Sequence, residues 1–296
     1  MTSARDLVPI SPRPELPFEE RVAELERSFS GRLGYHAVHL EWGAELALRA
    51  DEPFPTASVI KVGIACAALD LVRRRLARLD DQLVLPPRSE RVTGGGVLKQ
   101  LDLDRISLRD AIELMITVSD NAATNAVVER CGGTSAVNAY LERLGLPETR
   151  LLGPVDFARI THDLAGGMGI STPREQTTLL ARLAKAEILS AELCAHLQAV
   201  LERQHFQDQL PRWLGWNPYA QYHGREQPIH VGSKSGELDG IRADIAIVRH
   251  AEKGTLVLAV FTDGAGDLRE TVDVEGALAV AECSAAICAR ILGIDA

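Results

Sequence analysis

The sequence predicts an α+β fold, an α/β sandwich in which an antiparallel sheet is flanked by N- and C-terminal helices and interrupted by an inserted all-helical domain. Three observations predict it. Alternating, strand-like segments lie near both ends of the chain. The long middle carries helical periodicity with nameable start and stop signals. A final apolar stripe at helical spacing closes the chain.

Taken in order, residues 1–17 are proline-rich and read as a flexible segment. Phe18, Val22, Leu25 and Phe29 then share one face of a helix that ends near Gly31. Residues 35–49 read as two alternating segments around a short Gly-containing turn, a β-hairpin. From about residue 57 to about 205 the pattern is helical. Ser107 with Asp110 opens one helix, Gly132-Gly133 ends another, and Thr134 and Gly145 bracket a third. Thr172, Pro173 and Glu175 combine an N-cap, a first-turn proline and a capping box. Beyond Gln227 the segments IHVGSKSG, RADIAIVRH and TLVLAVFTD return to strands, with a turn at Ala251 to Gly254. Val280, Cys283, Ser284, Ile287 and Ile291 form the closing helical stripe. The expected division is a sheet domain from 18–56 and 227–296, a helical domain from 57–226, and a site at their interface.

Composition excludes several functions. The 296 residues hold 32 basic against 41 acidic side chains, a net charge of −9, so nucleic acid and acidic membrane surfaces are poor partners. At 46% hydrophobic and 25% charged, the chain is that of a folded globular protein rather than a disordered one. The five cysteines are scattered, without a C-x-x-C pair, and read as free thiols. No apolar run approaches the ~18 residues of a membrane span, and no secretory signal is visible, so the chain as written is expected in the cytoplasm, with export open if its N-terminus was processed. The eight histidines show no metal-ligand spacing, and Gly94-Gly95-Gly96 lacks the context of a phosphate-binding loop and reads as flexibility near the site. No metal or cofactor is expected.

Three short segments carry chemistry: Ser58-Val59-Ile60-Lys61, Ser119-Asp120-Asn121 and Lys234-Ser235-Gly236. Serine is a common helix N-cap, so Ser58 and Ser119 also read as capping residues. Lys61 resists a structural reading. It sits in the first turn of its helix, where the macrodipole disfavours a cation, on a stripe otherwise made of Ser58, Ala65, Ala68 and Val72. A partly desolvated lysine one turn from a hydroxyl can serve as base to a nucleophile. The segment Gly232 to Gly236 has little bulk apart from Lys234, so an extended substrate can lie along it, with the lysine facing an anionic group. The bland alternative is a solvated lysine on a flexible strand.

Taken together and in this order, the three segments resemble the signature set of class A β-lactamases and penicillin-binding proteins. The context ITVSDNAATN of the second motif and the strand RADIAIV after the third extend the resemblance over residues 18–292. It implies a β-lactamase/transpeptidase-like fold, Ser58 as the acylated nucleophile and Lys61 as its base or proton relay. It also implies Ser119 as the proton shuttle to the leaving nitrogen and Asn121 as the partner of the substrate's side-chain amide. Lys234, Ser235 and Gly236 would bind the substrate carboxylate end, with Arg242 as helper, and the backbone N–H groups of Ser58 and Glu237 would form the oxyanion hole. Asp120 would be structural, and the partner would be a small acyl substrate: a β-lactam, peptide or ester.

The departure lies between Gly145 and Thr172, where the family carries a loop ending Glu-x-x-Leu-Asn that positions the deacylating water. No such string occurs. The carboxylates there are Glu148, Asp156 and Asp163, and Asp156 falls one residue after the expected glutamate and is one methylene shorter. It is the candidate base, against the reading of a solvated loop acid. The implied function is a serine hydrolase that deacylates slowly; the alternatives are a penicillin-binding-type peptidase or esterase, or a β-lactam-binding module without turnover. Whether the segment His205 to Gly224 lines the cleft is left open.

Overall fold

The computed structural model describes residue 12, residues 16–157 and residues 167–294. Most of the proline-rich start lies outside the described residues, as do His162 and Asp163.

Both ends of the chain build one sheet. After helix α1 (Phe18–Ser28) come strands β1 (Arg32–His39) and β2 (Glu45–Leu48), the expected hairpin. A two-residue strand, β3 (Phe54–Pro55), leads into helix α2 (Lys61–Arg73). The middle continues with β4 (Gln82–Val84), β5 (Arg105–Ser107), α3 (Leu108–Thr117), α4 (Asn121–Arg130) and α5 (Thr134–Arg143). Then follow β6 (Arg150–Leu151), β7 (Gly169–Ser171), α6 (Pro173–Ala184) and α7 (Ala191–Glu202). The last strands are β8 (Ile229–Leu238), β9 (Ile241–His250) and β10 (Gly254–Asp263), and α8 (Glu275–Leu292) closes the chain. The main sheet has the order β2-β1-β10-β9-β8, and its pairs are antiparallel.

This order makes β8 an edge strand, and the third sequence motif lies on it. Residues on β9 alternate between two cores. Ala246 and Val248 join Leu25, Phe29, Val280 and Ile287 beneath α1 and α8, while Ile245 and Ile247 join Val59, Ile64 and Leu197 beneath the helical domain. A strand buried on both faces reads as a continuous apolar run, as RADIAIVRH does. Each such side chain contributes ~1.5–3 kcal/mol, so the sheet is the slab on which the site is mounted.

Helix starts follow the sequence signals. Ser107 Oγ accepts from Asp110 N at 3.1 Å, and Thr172 Oγ1 from Glu175 N at 3.2 Å. The Glu175 carboxylate, however, does not close a capping box. It accepts instead from Glu148 N (3.0 Å) and Thr149 Oγ1 (2.6 Å), which pins the start of the loop that follows α5. The segment expected to be all-helical also contains the pair β4–β5 and the strands β6 and β7, which join β3 in a small sheet. Strands of two or three residues are too short to show alternation, which is why the sequence hides them.

Candidate active site

The candidate nucleophile sits in a short turn between sheet and helix. Residues Ala57–Ile60 form a 3₁₀ turn before α2, with Ala57 in the left-handed region (φ 42°). Ser58 is partly exposed, and its hydroxyl makes no hydrogen bond among the described residues, so it is not a cap. Ser119 is not one either. It lies between α3 and α4 with φ 55°, and Asp120 takes the capping role, its Oδ1 accepting from Ala123 N at 2.8 Å. A non-glycine residue held at positive φ is a local strain, and here it turns both oxygens of Ser119 toward one amine.

That amine is Lys61. Its side chain is fully buried, and Nζ lies 2.7 Å from Ser119 O, 3.0 Å from Ser119 Oγ and 2.8 Å from Asn121 Oδ1. Ser119 O and Asn121 Oδ1 can only accept, whereas the Ser119 hydroxyl can accept or donate. An ammonium therefore satisfies all three partners, and so does a neutral amine whose lone pair receives the hydroxyl proton. Burial pushes the lysine well below its ordinary pKa, the positive Lys234 adds to this, and Asp120 opposes it. The neutral amine is the form a base requires.

The glycine loop is a wall rather than a flexible segment. Asn121 N donates to Gly95 O (3.4 Å) and Asn121 Nδ2 to Thr93 O (3.0 Å), while Asp120 Oδ2 accepts from Val97 N (2.6 Å) and Leu98 N (2.8 Å). A Cβ at Gly95 would stand 3.0 Å from Ser119 O. The triple glycine lets this loop close on the second motif, a packing role that composition cannot distinguish from mobility. Asp120 is structural, with three backbone N–H groups on its carboxylate.

The third motif meets the first through Gly236. A Cβ there would lie 2.6 Å from Thr56 O and 2.9 Å from Ser58 N, so glycine allows β8 to come against the nucleophile turn. Ser58 N is thereby brought to the strand one residue before Glu237, the other donor implied for the oxyanion. Lys234 is fully buried and donates to Ser235 O at 2.7 Å. Arg242 Nη1 donates to Leu238 O (2.7 Å) and Ile241 O (2.8 Å), bracing the β8–β9 turn. An open cleft of about 660 Å³ adjoins this end of β8, lined by Glu237 and Arg242 together with Gly94, Phe157, Phe206 and Asp208. The segment after α7 thus reaches the cleft through Phe206 and Asp208, while Trp213 and Trp216 pack against the core under α8.

Asn125 is a residue that the motifs did not single out. Its amide clamps the backbone of Val155 from both sides, Nδ2 to Val155 O at 3.0 Å and Oδ1 from Val155 N at 2.7 Å. Its only signal was its place one helical turn beyond Asn121. Val155 occupies the register at which the family's glutamate was expected and is 2% exposed, so an apolar side chain stands there. Asp156 follows it, partly exposed and itself engaged. Among the described residues no group of three metal-ligating side chains forms.

Comparison with known proteins agrees with this geometry. A model of the β-lactamase enzyme family matches residues 17–291. β-Lactamase AST-1 of Nocardia asteroides is 30% identical over 248 residues, 82% of this chain and 75% of that protein. β-Lactamase FAR-1 of Nocardia farcinica (strain IFM 10152) is 37% identical over 129 residues, 44% of this chain and 41% of its own length, so that match spans less than half of the relative. The crystal structure of a β-lactamase from Sphaerobacter thermophilus DSM 20745 superposes with a TM-score of 0.80 at 26% identity, covering 94% of this chain and 97% of that one. With the motif residues gathered at one end of β8 and the family model running almost end to end, the chain belongs to the β-lactamase enzyme family as a class A β-lactamase-like serine hydrolase.

Proposed function

We propose that β-lactams acylate Ser58 and that the acyl-enzyme is released slowly. The observation that carries acylation is Lys61: buried, depressed in pKa and hydrogen-bonded to Ser119 and Asn121 one helical turn from Ser58. In the step this supports, Ser58 Oγ bonds to the lactam carbonyl carbon while its proton passes to the Lys61 amine. The carbonyl oxygen takes up the negative charge against the N–H groups of Ser58 and Glu237. The C–N bond then breaks, and the nitrogen receives a proton through Ser119 Oγ, which Lys61 replenishes. Lys234 and Ser235 hold the substrate carboxylate, with Asn121 on the acyl side chain.

Slow release follows from Val155. An apolar residue stands in the register of the glutamate that would activate water, and one positioned base is worth ~10²–10⁴ in rate. The same observation favours a second reading, a penicillin-binding-type peptidase or esterase whose natural acyl donor is a peptide or ester. Net charge −9 argues against nucleic acid and acidic membranes as partners in either case.

Incubation with penicillin, followed by intact-mass and peptide mapping, tests the assignment. A single adduct on Ser58 that persists over many minutes is expected, and it should be absent from Ser58→Ala; undiminished labelling of that variant refutes the nucleophile.

A further inference from the structure

Two loops meet in the wall of the cleft, and both are fixed to the first turns of α4. The glycine loop is held by Asp120 Oδ2, which accepts from Val97 N (2.6 Å) and Leu98 N (2.8 Å), and by Asn121 Nδ2, which donates to Thr93 O (3.0 Å). The loop after α5 is held one helical turn further on, where both polar atoms of the Asn125 amide engage the backbone of Val155. Phe157 comes two residues after that clamp.

The Phe157 ring lies directly on Gly94. A Cβ at residue 94 would stand 2.5 Å from Phe157 Cε2 and 2.6 Å from Cζ, too close to coexist with the ring where it lies. The ring thus fills the space that a side chain at residue 94 would take. Gly94 also has φ 79°, in the left-handed region that favours glycine, so backbone and contact select the same residue. One residue along, a Cβ at Gly95 would stand 3.2 Å from Asn121 Nδ2 and 3.0 Å from Ser119 O. Two consecutive glycines therefore set the Phe157 ring beside Asn121, the residue that takes the amide of the acyl side chain in the proposed function.

A ring that served only to cover the glycine loop would be expected to lie buried. Phe157 instead keeps 42% of its surface exposed and lines the cleft of about 660 Å³; Phe206, 37% exposed, lines the same cleft from the segment after α7. Aromatic rings contribute most when a second apolar or aromatic surface covers them. A ring already held between two anchored loops loses little freedom when such a surface arrives, so the ordering cost that opposes binding is small.

We infer that Phe157 is a specificity residue: its ring receives the group that lies beyond the acyl amide, so the preferred acyl donors carry a flat, apolar aryl side chain, with Phe206 offering a second ring in the same cleft. This rests on the proposed acylation of Ser58 with Asn121 on the acyl side chain.

Benzylpenicillin carries such a side chain, and the bare penicillin nucleus with a free amine carries none. In Phe157→Ala the second-order acylation constant of benzylpenicillin should fall about tenfold, through weaker binding rather than a slower chemical step, while that of the bare nucleus stays within about twofold of wild type. Phe157→Tyr keeps the ring and should recover most of the loss. Equal losses for the two compounds would make the ring a support for the glycine loop, and an unchanged constant for benzylpenicillin would mean that the ring meets no substrate; either result overturns the inference. Fluorine NMR reads the contact without acylation, on Ser58→Ala protein whose six phenylalanines are replaced by fluorinated phenylalanine. The Phe157 signal, identified by its absence from the Phe157→Tyr protein, should move when benzylpenicillin is added and stay in place with the bare nucleus; a signal that benzylpenicillin leaves unmoved overturns the inference. If penicillins fail to acylate the wild type, the functional reading has failed, and the fluorine signal still decides whether Phe157 receives the aryl group.

Discussion

Three hydrogen bonds and complete burial define the chemistry open to Lys61. Replacing it by alanine has two opposed effects on stability. Asn121 Oδ1 and Ser119 O lose a buried donor, at ~1–3 kcal/mol for each group left unsatisfied, and the cost of desolvating the amine disappears. Lys61→Ala is therefore expected to slow acylation ~10²–10⁴-fold while its melting temperature stays within a few degrees of wild type. A variant that acylates at the wild-type rate but unfolds well below it would make Lys61 a structural residue; stopped-flow acylation beside thermal unfolding reads both. This residue was legible in the sequence because a lysine in a first helical turn on an apolar stripe breaks two local rules at once. Asn125 was not, because an asparagine inside a helical pattern gives no sign that its amide clamps the backbone of Val155.

At the scale of elements, the contact between β8 and the turn before α2 sets the site, and Gly236 is where it is closest. Gly236→Ala places a methyl group 2.6 Å from Thr56 O and 2.9 Å from Ser58 N, both backbone atoms that cannot rotate away. Since a displacement of about 1 Å at a reacting group can cost ~10²-fold, acylation should fall by one to two orders of magnitude. Wild-type acylation kinetics in that variant would show that the strand does not press on the nucleophile. Caps and glycine stops made several helix starts and ends readable, as Ser107, Thr172 and Gly132-Gly133 show. The elements that escaped depend on distant partners. Strands β4 to β7 exist only because of their pairing, Glu175 serves the loop at Glu148 and Thr149 rather than its own helix, and the glycine loop owes its order to Asp120 and Asn121.

Over the whole molecule, a sheet assembled from both chain ends carries Lys234 and Ser235 on its edge strand, and Lys61, Ser119 and Asn121 come from the helical segment between them. The change of periodicity along the chain marks where strands give way to helices and where they return. The same architecture presents the loop after α5 to the site with Val155, held by Asn125, where a water-activating glutamate was expected. On the proposed function, formation of the acyl-enzyme has its base in Lys61, while its loss has an apolar Val155 in the register of the family's glutamate. Rapid-mixing hydrolysis of nitrocefin tests this most directly. The account predicts a burst equal to the enzyme concentration followed by steady-state turnover slower by ~10²–10⁴, unchanged in Asp156→Asn; rapid turnover without a burst, abolished in Asp156→Asn, would contradict it and make the shifted aspartate the base.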